Sequence, residues 1–204
     1  MHIAAERVVT VAGVIALAAL TATVASLGYL HLAPTGLSPI RNAVSQYGIT
    51  PFRAGYRAAT IAFAVAGAAL AVGIDRAAGS RASAVIVLLA IFAAARAAIS
   101  WFPMDAPGAP RTSTGRTHGL LAGAAFGGAT VAAFKLAAVL RDGHRWHALA
   151  PVSTALGVAM AVCLAGAIVS RSYPALRARF GAIERGFYVS AIAWFAVFAV
   201  ACIG

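Results

Sequence analysis

Val8 to Leu32 reads "VVTVAGVIALAALTATVASLGYLHL". No Asp, Glu, Lys or Arg interrupts it, and a helix needs about 20 mostly apolar residues to cross the hydrocarbon core of a bilayer. The apolar region of a signal peptide is shorter than this, so the run reads as a retained transmembrane helix. Further runs of the same character follow at about Gly55–Ile74, Ala82–Phe102, Thr114–Leu140, Ala148–Ser170 and Ile183–Ile203. Short connections separate them: Ala33–Ala54, Asp75–Arg81, Pro103–Ser113, Arg141–His147 and Arg171–Ala182. The expected fold is therefore all-α, one integral membrane bundle of six transmembrane helices spanning residues 1–204.

Composition agrees. The chain is 62% hydrophobic and 10% charged, against roughly 25% charged residues in a soluble domain. Its net charge is +11, but the arginines sit in short connections rather than on one soluble face, which excludes a nucleic-acid reading. Membrane lipids are the expected partners, since each basic residue near an anionic surface contributes about 1 kcal/mol. Cys163 and Cys202 lie deep in apolar runs without CxxC spacing, and read as packing residues. Gly119, Gly123 and Gly127 form consecutive GxxxG steps on the fourth run, a pattern for close helix packing or a homo-oligomer.

Six crossings put connections one, three and five on one face. His31, Ser45, Tyr47, Asp105, His118, Glu184 and Arg185 gather there, while His144 and His147 of "HRWH" fall opposite. Basic residues favour the first face (Arg41, Arg53, Arg57, Arg111, Arg116, Arg171, Arg177, Arg179, Arg185) over the second (Arg7, Arg76, Arg81, Arg141, Arg145), which the positive-inside rule assigns to the cytoplasm. Histidines sharing a face are common by chance, so no haem, metal or other cofactor is expected.

Connection one carries "LSPIRNAVSQYG", Leu37 to Gly48. Ser38 suits an N-cap, Pro39 the first helical position and Gly48 the residue just past a helix. Ile40, Ala43, Val44 and Tyr47 share one apolar face at i, i+3, i+4, i+7. These signals predict a short interfacial helix. Connection five repeats the design, with Ser172 and Pro174 opening a short helix and Gly181 closing it.

Connection three, "SWFPMDAPGAPRTSTGRTHG" from Ser100 to Gly119, holds the candidate chemistry. Ser113 or Thr114 is expected to cap the fourth helix, whose start, flanked by Arg111 and Arg116, would form an anion site. An Asp105–His118 contact would orient the imidazole for acid–base work. Ser45 is a conceivable nucleophile, although no G-x-S-x-G elbow supports it. Arg96 lies too deep in the third run to be free, and a charge there seeks a partner inside the protein. An Arg96–Glu184 or Arg96–Asp105 pair is predicted. Lys135 is expected to snorkel.

"NAVSQYG" (Asn42–Gly48), "WFPMD…TSTGRTHG" and "IERGFY" (Ile183–Tyr188) together resemble the landmarks of a six-helix prokaryotic membrane family, domain of unknown function nine hundred ninety-eight. The resemblance implies six helices, a prokaryotic cytoplasmic membrane and no established reaction. It points to Asn42, Ser45, Gly48, Pro103, His118, Glu184 and Arg185. Gln46 departs from the acidic residue usual in the first landmark. The expectation that follows is a polar pocket near one membrane face that binds or modifies an amphipathic, anionic-headed lipid-like ligand. Its roof would be Asn42, Ser45, Tyr47, Asp105 and His118, with Arg96, Arg111, Arg116 and Arg185 for the head. A small transporter predicts a continuous polar path instead, and an assembly subunit predicts none.

Overall fold

A computed structural model describes residues 2–142 and 145–204, and among these there is no β-strand. The α-helices are α1 (His2–Leu32), α2 (Arg53–Ala78), α3 (Ser83–Ala98), α4 (Ser113–Arg141), α5 (Ala150–Val169), α6 (Pro174–Arg177) and α7 (Phe180–Ile203). Each apolar run is found as a helix, with ends shifted by a few residues where flanking alanines and arginines continue it.

The second connection differs from expectation. Asp75–Ala78 stays helical, and a 3-10 turn over Gly79–Ala82 leads directly into α3. Gly79 stands at φ +59°, a region open to glycine without steric cost, and its N–H donates to the Asp75 carbonyl. The turn reverses the chain so that α2 packs along α3. By length and composition, five segments could cross a membrane: Ala5–Leu32, Arg53–Trp101, Ser113–Arg141, His147–Val169 and Phe180–Ile203. The second, at 49 residues, contains both α2 and α3.

The long helices form a ring. Each packs on the next, α5 packs on α7, and α7 closes the circle against α1. Aromatic side chains fill the middle: Phe63 of α2, Phe92 of α3 and Phe195 of α7 meet with centroids 4.9 to 5.1 Å apart, a spacing that favours edge and tilted ring contacts. Two buried polar side chains are partnered along a chain, Trp194 Nε1 donating to Ser153 Oγ (2.8 Å) and Ser153 Oγ to the Ala133 carbonyl (2.8 Å). The outside is apolar. Leu120 is 75% exposed, Val189 69% and Val162 65%, an outer surface suited to acyl chains and too large an apolar area for a water-solvated monomer. The GxxxG glycines belong to that surface. Gly119, Gly123 and Gly127 have open space where a Cβ would stand, so this pattern does not pack α4 within the chain.

Candidate functional site

Connection one is organised by Asn42. Its N–H donates to the Ser38 carbonyl (2.8 Å), its Oδ1 accepts from the Ser38 N–H (2.8 Å), and its Nδ2 donates to Gln46 Oε1 (2.6 Å). The predicted helix from Ser38 to Gly48 is replaced by this turn followed by a 3-10 helix over Val44–Ile49. Gly48 lies inside that element. It is small because a Cβ would stand 2.9 Å from the Tyr56 ring, and it does not end a helix.

The cause of the rearrangement is α7. Glu184, 7% exposed, accepts the Val44 N–H through Oε2 at 2.7 Å, holding the first donor of the 3-10 helix from a distant segment. Gly181 has been drawn into the first turn of α7 rather than closing a helix in connection five, where only Pro174–Arg177 is helical. A Cβ on Gly181 would stand 2.5 Å from the Asn42 carbonyl oxygen and 2.6 Å from that of Pro39. Backbone therefore lies directly on backbone, and the Ala182 N–H donates to the Ile40 carbonyl (3.0 Å).

Arg185, the residue after Glu184, ties three segments together. Its Nη1 donates to the carbonyls of Asn42 (2.8 Å) and Gly181 (3.0 Å), its Nη2 to the Tyr47 hydroxyl (3.3 Å) and its Nε to His31 Nε2 (2.7 Å). His31 Nδ1 lies 2.6 Å from the Leu27 carbonyl, so the proton belongs on Nδ1 and the Nε2 lone pair receives the guanidinium. No carboxylate lies within 4 Å of the Arg185 guanidinium among the described residues.

The predicted acid partner of Arg96 is not found. Arg96 is 2% exposed, yet Glu184 is turned to Val44 and Asp105 to the start of α4. The guanidinium instead lies between aromatic faces, 5.3 Å from the Tyr188 ring centroid and 5.7 Å from that of Phe63, contacts that stabilise a desolvated cation. Glu184, Tyr56 and Tyr188 are within electrostatic reach of it.

Connection three corrects two further expectations. Thr112, rather than Ser113 or Thr114, caps α4, its Oγ1 accepting the Gly115 N–H at 3.0 Å. Asp105 accepts the Thr112 hydroxyl (2.6 Å) and N–H (3.2 Å). The anion at this helix start is thus the chain's own carboxylate, with Arg111 and Arg116 exposed beside it. Asp105 does not orient His118, whose Nδ1 is bonded to the Phe102 carbonyl at 2.8 Å. Ser45 meets connection three through Met104, Oγ to Sδ at 3.1 Å, and among the described residues no base stands within hydrogen-bond distance of its hydroxyl.

The two Thr112 hydrogen bonds hold the Asp105 carboxyl below its usual range. A depressed folded pKa contributes stability above the unfolded value, near 4, that is lost as pH falls through the folded value. The Gly115 amide resonance of the micellar protein should stay constant from neutral pH to about 4 and move below it. In Asp105→Asn that acid-induced movement should vanish.

Side by side, α1 and α7 leave an open groove of about 530 Å³. Val24, Leu27, Gly28 and His31 form its α1 wall, and Arg185, Tyr188, Val189 and Ile192 its α7 wall. Each wall is an i, i+3, i+4, i+7 stripe, and because the helices run oppositely the polar member of each stripe falls at the same end. Reading α1 merely as a span missed this, although the stripe ending in His31 was visible in its spacing. His118, Asp105, Arg111 and Arg116 do not line the groove. Tyr47 touches its polar end through Arg185, and Val44 lines it. As for "HRWH", His144 lies outside the described residues, and no group of three His, Cys, Asp or Glu able to hold a metal occurs among the described ones.

A family model described as Protein of unknown function (DUF998) matches residues 11–201. The chain belongs to that family. The match runs from within α1 to within α7 of the DUF998 member and includes the three odd connections that carry the polar contacts above. Searches of curated proteins and of solved structures give no match.

Proposed function

We propose that this DUF998 protein crosses a prokaryotic cytoplasmic membrane six times and binds an amphipathic lipid with an anionic head in the α1–α7 groove. The 49-residue segment supports counting two crossings there: as one straight helix it would be about 73 Å long, more than twice the roughly 30 Å hydrocarbon core, and it folds back at Gly79. Connections one and five then lie at the same interface. The observation that carries the reading is the groove itself. Its length is apolar and open sideways, while one end presents a guanidinium with no carboxylate within 4 Å among the described residues. An acyl chain suits Val24, Leu27, Val189 and Ile192, and a phosphate or carboxylate head suits Arg185, beside His31 and Tyr47. The groove supports a binding role, and among the described residues the polar groups around Ser45 and His118 have no contact that supports acid–base or nucleophilic work.

Native mass spectrometry of the detergent-extracted protein tests it. Wild type should retain an anionic lipid, and Arg185→Gln should lose it, with affinity down about tenfold or more as a charge-assisted contact disappears. Val189→Trp, which fills the groove from an exposed position, should also lose it while keeping the helical content. Wild type carrying no lipid, or equal retention in both variants, would end the proposal. A second reading, self-association, is favoured by the outward Gly119, Gly123 and Gly127 stripe; the same spectra read it as a dimer.

A further inference from the structure

The polar contacts above leave out a second concavity on the same side of the bundle. A cleft of about 640 Å³ lies between the elbow Gly48–Pro51, the start of α2 and the end of α3, and Arg53, Arg57, Ser100 and Trp101 line it. Three observations give it a chemical character. Arg53 and Arg57 are one turn apart on α2, where like charges repel, and among the described residues no carboxylate lies within 4 Å of either. Arg57 is held over the Trp101 ring, 4.9 Å from its centroid, so its charge is fixed at the cleft. Ser100, on the opposite wall, has an Oγ shielded from solvent and without a hydrogen-bond partner. Buried hydroxyls are normally partnered, and an orphan calls for an explanation.

Local backbone adds to this. The first turn of α2 has Phe52 at its N-cap and no side-chain cap, so the positive end of the helix dipole beside Arg53 meets no side-chain acceptor there. α4, by contrast, has its own carboxylate at the corresponding place.

The geometry points to a second anion site: the cleft takes a phosphate group, with Arg53 and Arg57 as its cations and the Ser100 hydroxyl as a donor. This site is separate from the α1–α7 groove and shares no residue with it. A smaller groove of about 340 Å³ continues from Arg53 and Arg57 along Ala54, Ala58 and Ile61. The phosphate can therefore belong to a free small molecule or to a lipid whose chain follows α2.

The full chain in phosphatidylcholine nanodiscs is titrated with inorganic phosphate by calorimetry in one arm. In the other, nanodiscs containing phosphatidic acid are analysed by native mass spectrometry. Binding in the first arm identifies a free-anion site, and binding only in the second a headgroup site. In either case Arg53→Gln and Arg57→Gln should weaken binding at the cleft about tenfold or more, Arg57→Lys should restore part of it, and Arg185→Gln should remove only the lipid held in the α1–α7 groove and leave the cleft's binding in place. Wild type binding neither probe, glutamine variants that stay helical and bind as wild type does, or loss confined to Arg185→Gln, would overturn the assignment. Because Arg185→Gln tests the groove and the α2 variants test the cleft, either site can fail without the other.

Discussion

Glu184→Ala should destabilise the bundle by about 3 kcal/mol or more, the cost of removing one partner from a buried polar arrangement. The Val44 N–H, buried and bonded to Glu184 Oε2 at 2.7 Å, is left without that acceptor. Arg96 and Arg185, both within electrostatic reach of Glu184, lose a compensating carboxyl at the same time. Glu184→Gln separates the two effects, because an amide oxygen still accepts the N–H while the carboxyl is gone. The expected order of midpoints in denaturing-detergent titration is wild type, then Gln, then Ala. An alanine variant as stable as wild type would mean that Glu184 does not hold connection one in place.

The second large effect opposes helix propensity. Gly181 and Gly123 both sit inside α-helices, where alanine is favoured over glycine by about 1 kcal/mol. Gly123→Ala should show that gain, since open space surrounds its Cβ position. Gly181→Ala should instead lose about 2 kcal/mol or more through overpacking. The atoms its methyl would strike are the carbonyl oxygens of Pro39 and Asn42 and the Asn42 nitrogen, backbone that cannot rotate away. Thermal midpoints of the two variants should therefore move in opposite directions. Movement in the same direction would refute the close approach at Gly181.

These two residues show where sequence reading succeeds and where it stops. The helices were legible because apolar length against bilayer thickness is a one-dimensional property. The gathering of connections one, three and five followed from counting crossings. Caps and partners were not legible. Ser38, Pro39 and Gly48 carry ordinary helix-end signals, but a carboxylate arriving from α7 at Val44 and a ring from Tyr56 at Gly48 decide that segment. Arg96 was expected to meet an acid because acids are the usual partners of buried cations, whereas Phe63 and Tyr188 surround it. Asp105 was assigned to His118 on chemical affinity, when the nearer donors of Thr112 claim it. The Thr112-x-x-Gly115 spacing, which places a hydroxyl before a helix start, was the overlooked local signal. The cleft at Arg53 and Arg57 could not be read at all, since Trp101 and Ser100 reach it only through the reversal at Gly79.

Ring closure has a consequence for biogenesis. Gly13 of α1 lies so close to α7 that a Cβ would stand 2.6 Å from the Ala199 carbonyl oxygen, so the first helix docks against the last. Chains emerge from the ribosome N-terminus first, and α1 must wait through the synthesis of α2 to α6 with its α7-facing flank against lipid. The seam that bears the groove therefore cannot zip before α7 is made, and a nascent chain arrested before α7 should be the species that membrane chaperones and proteases meet.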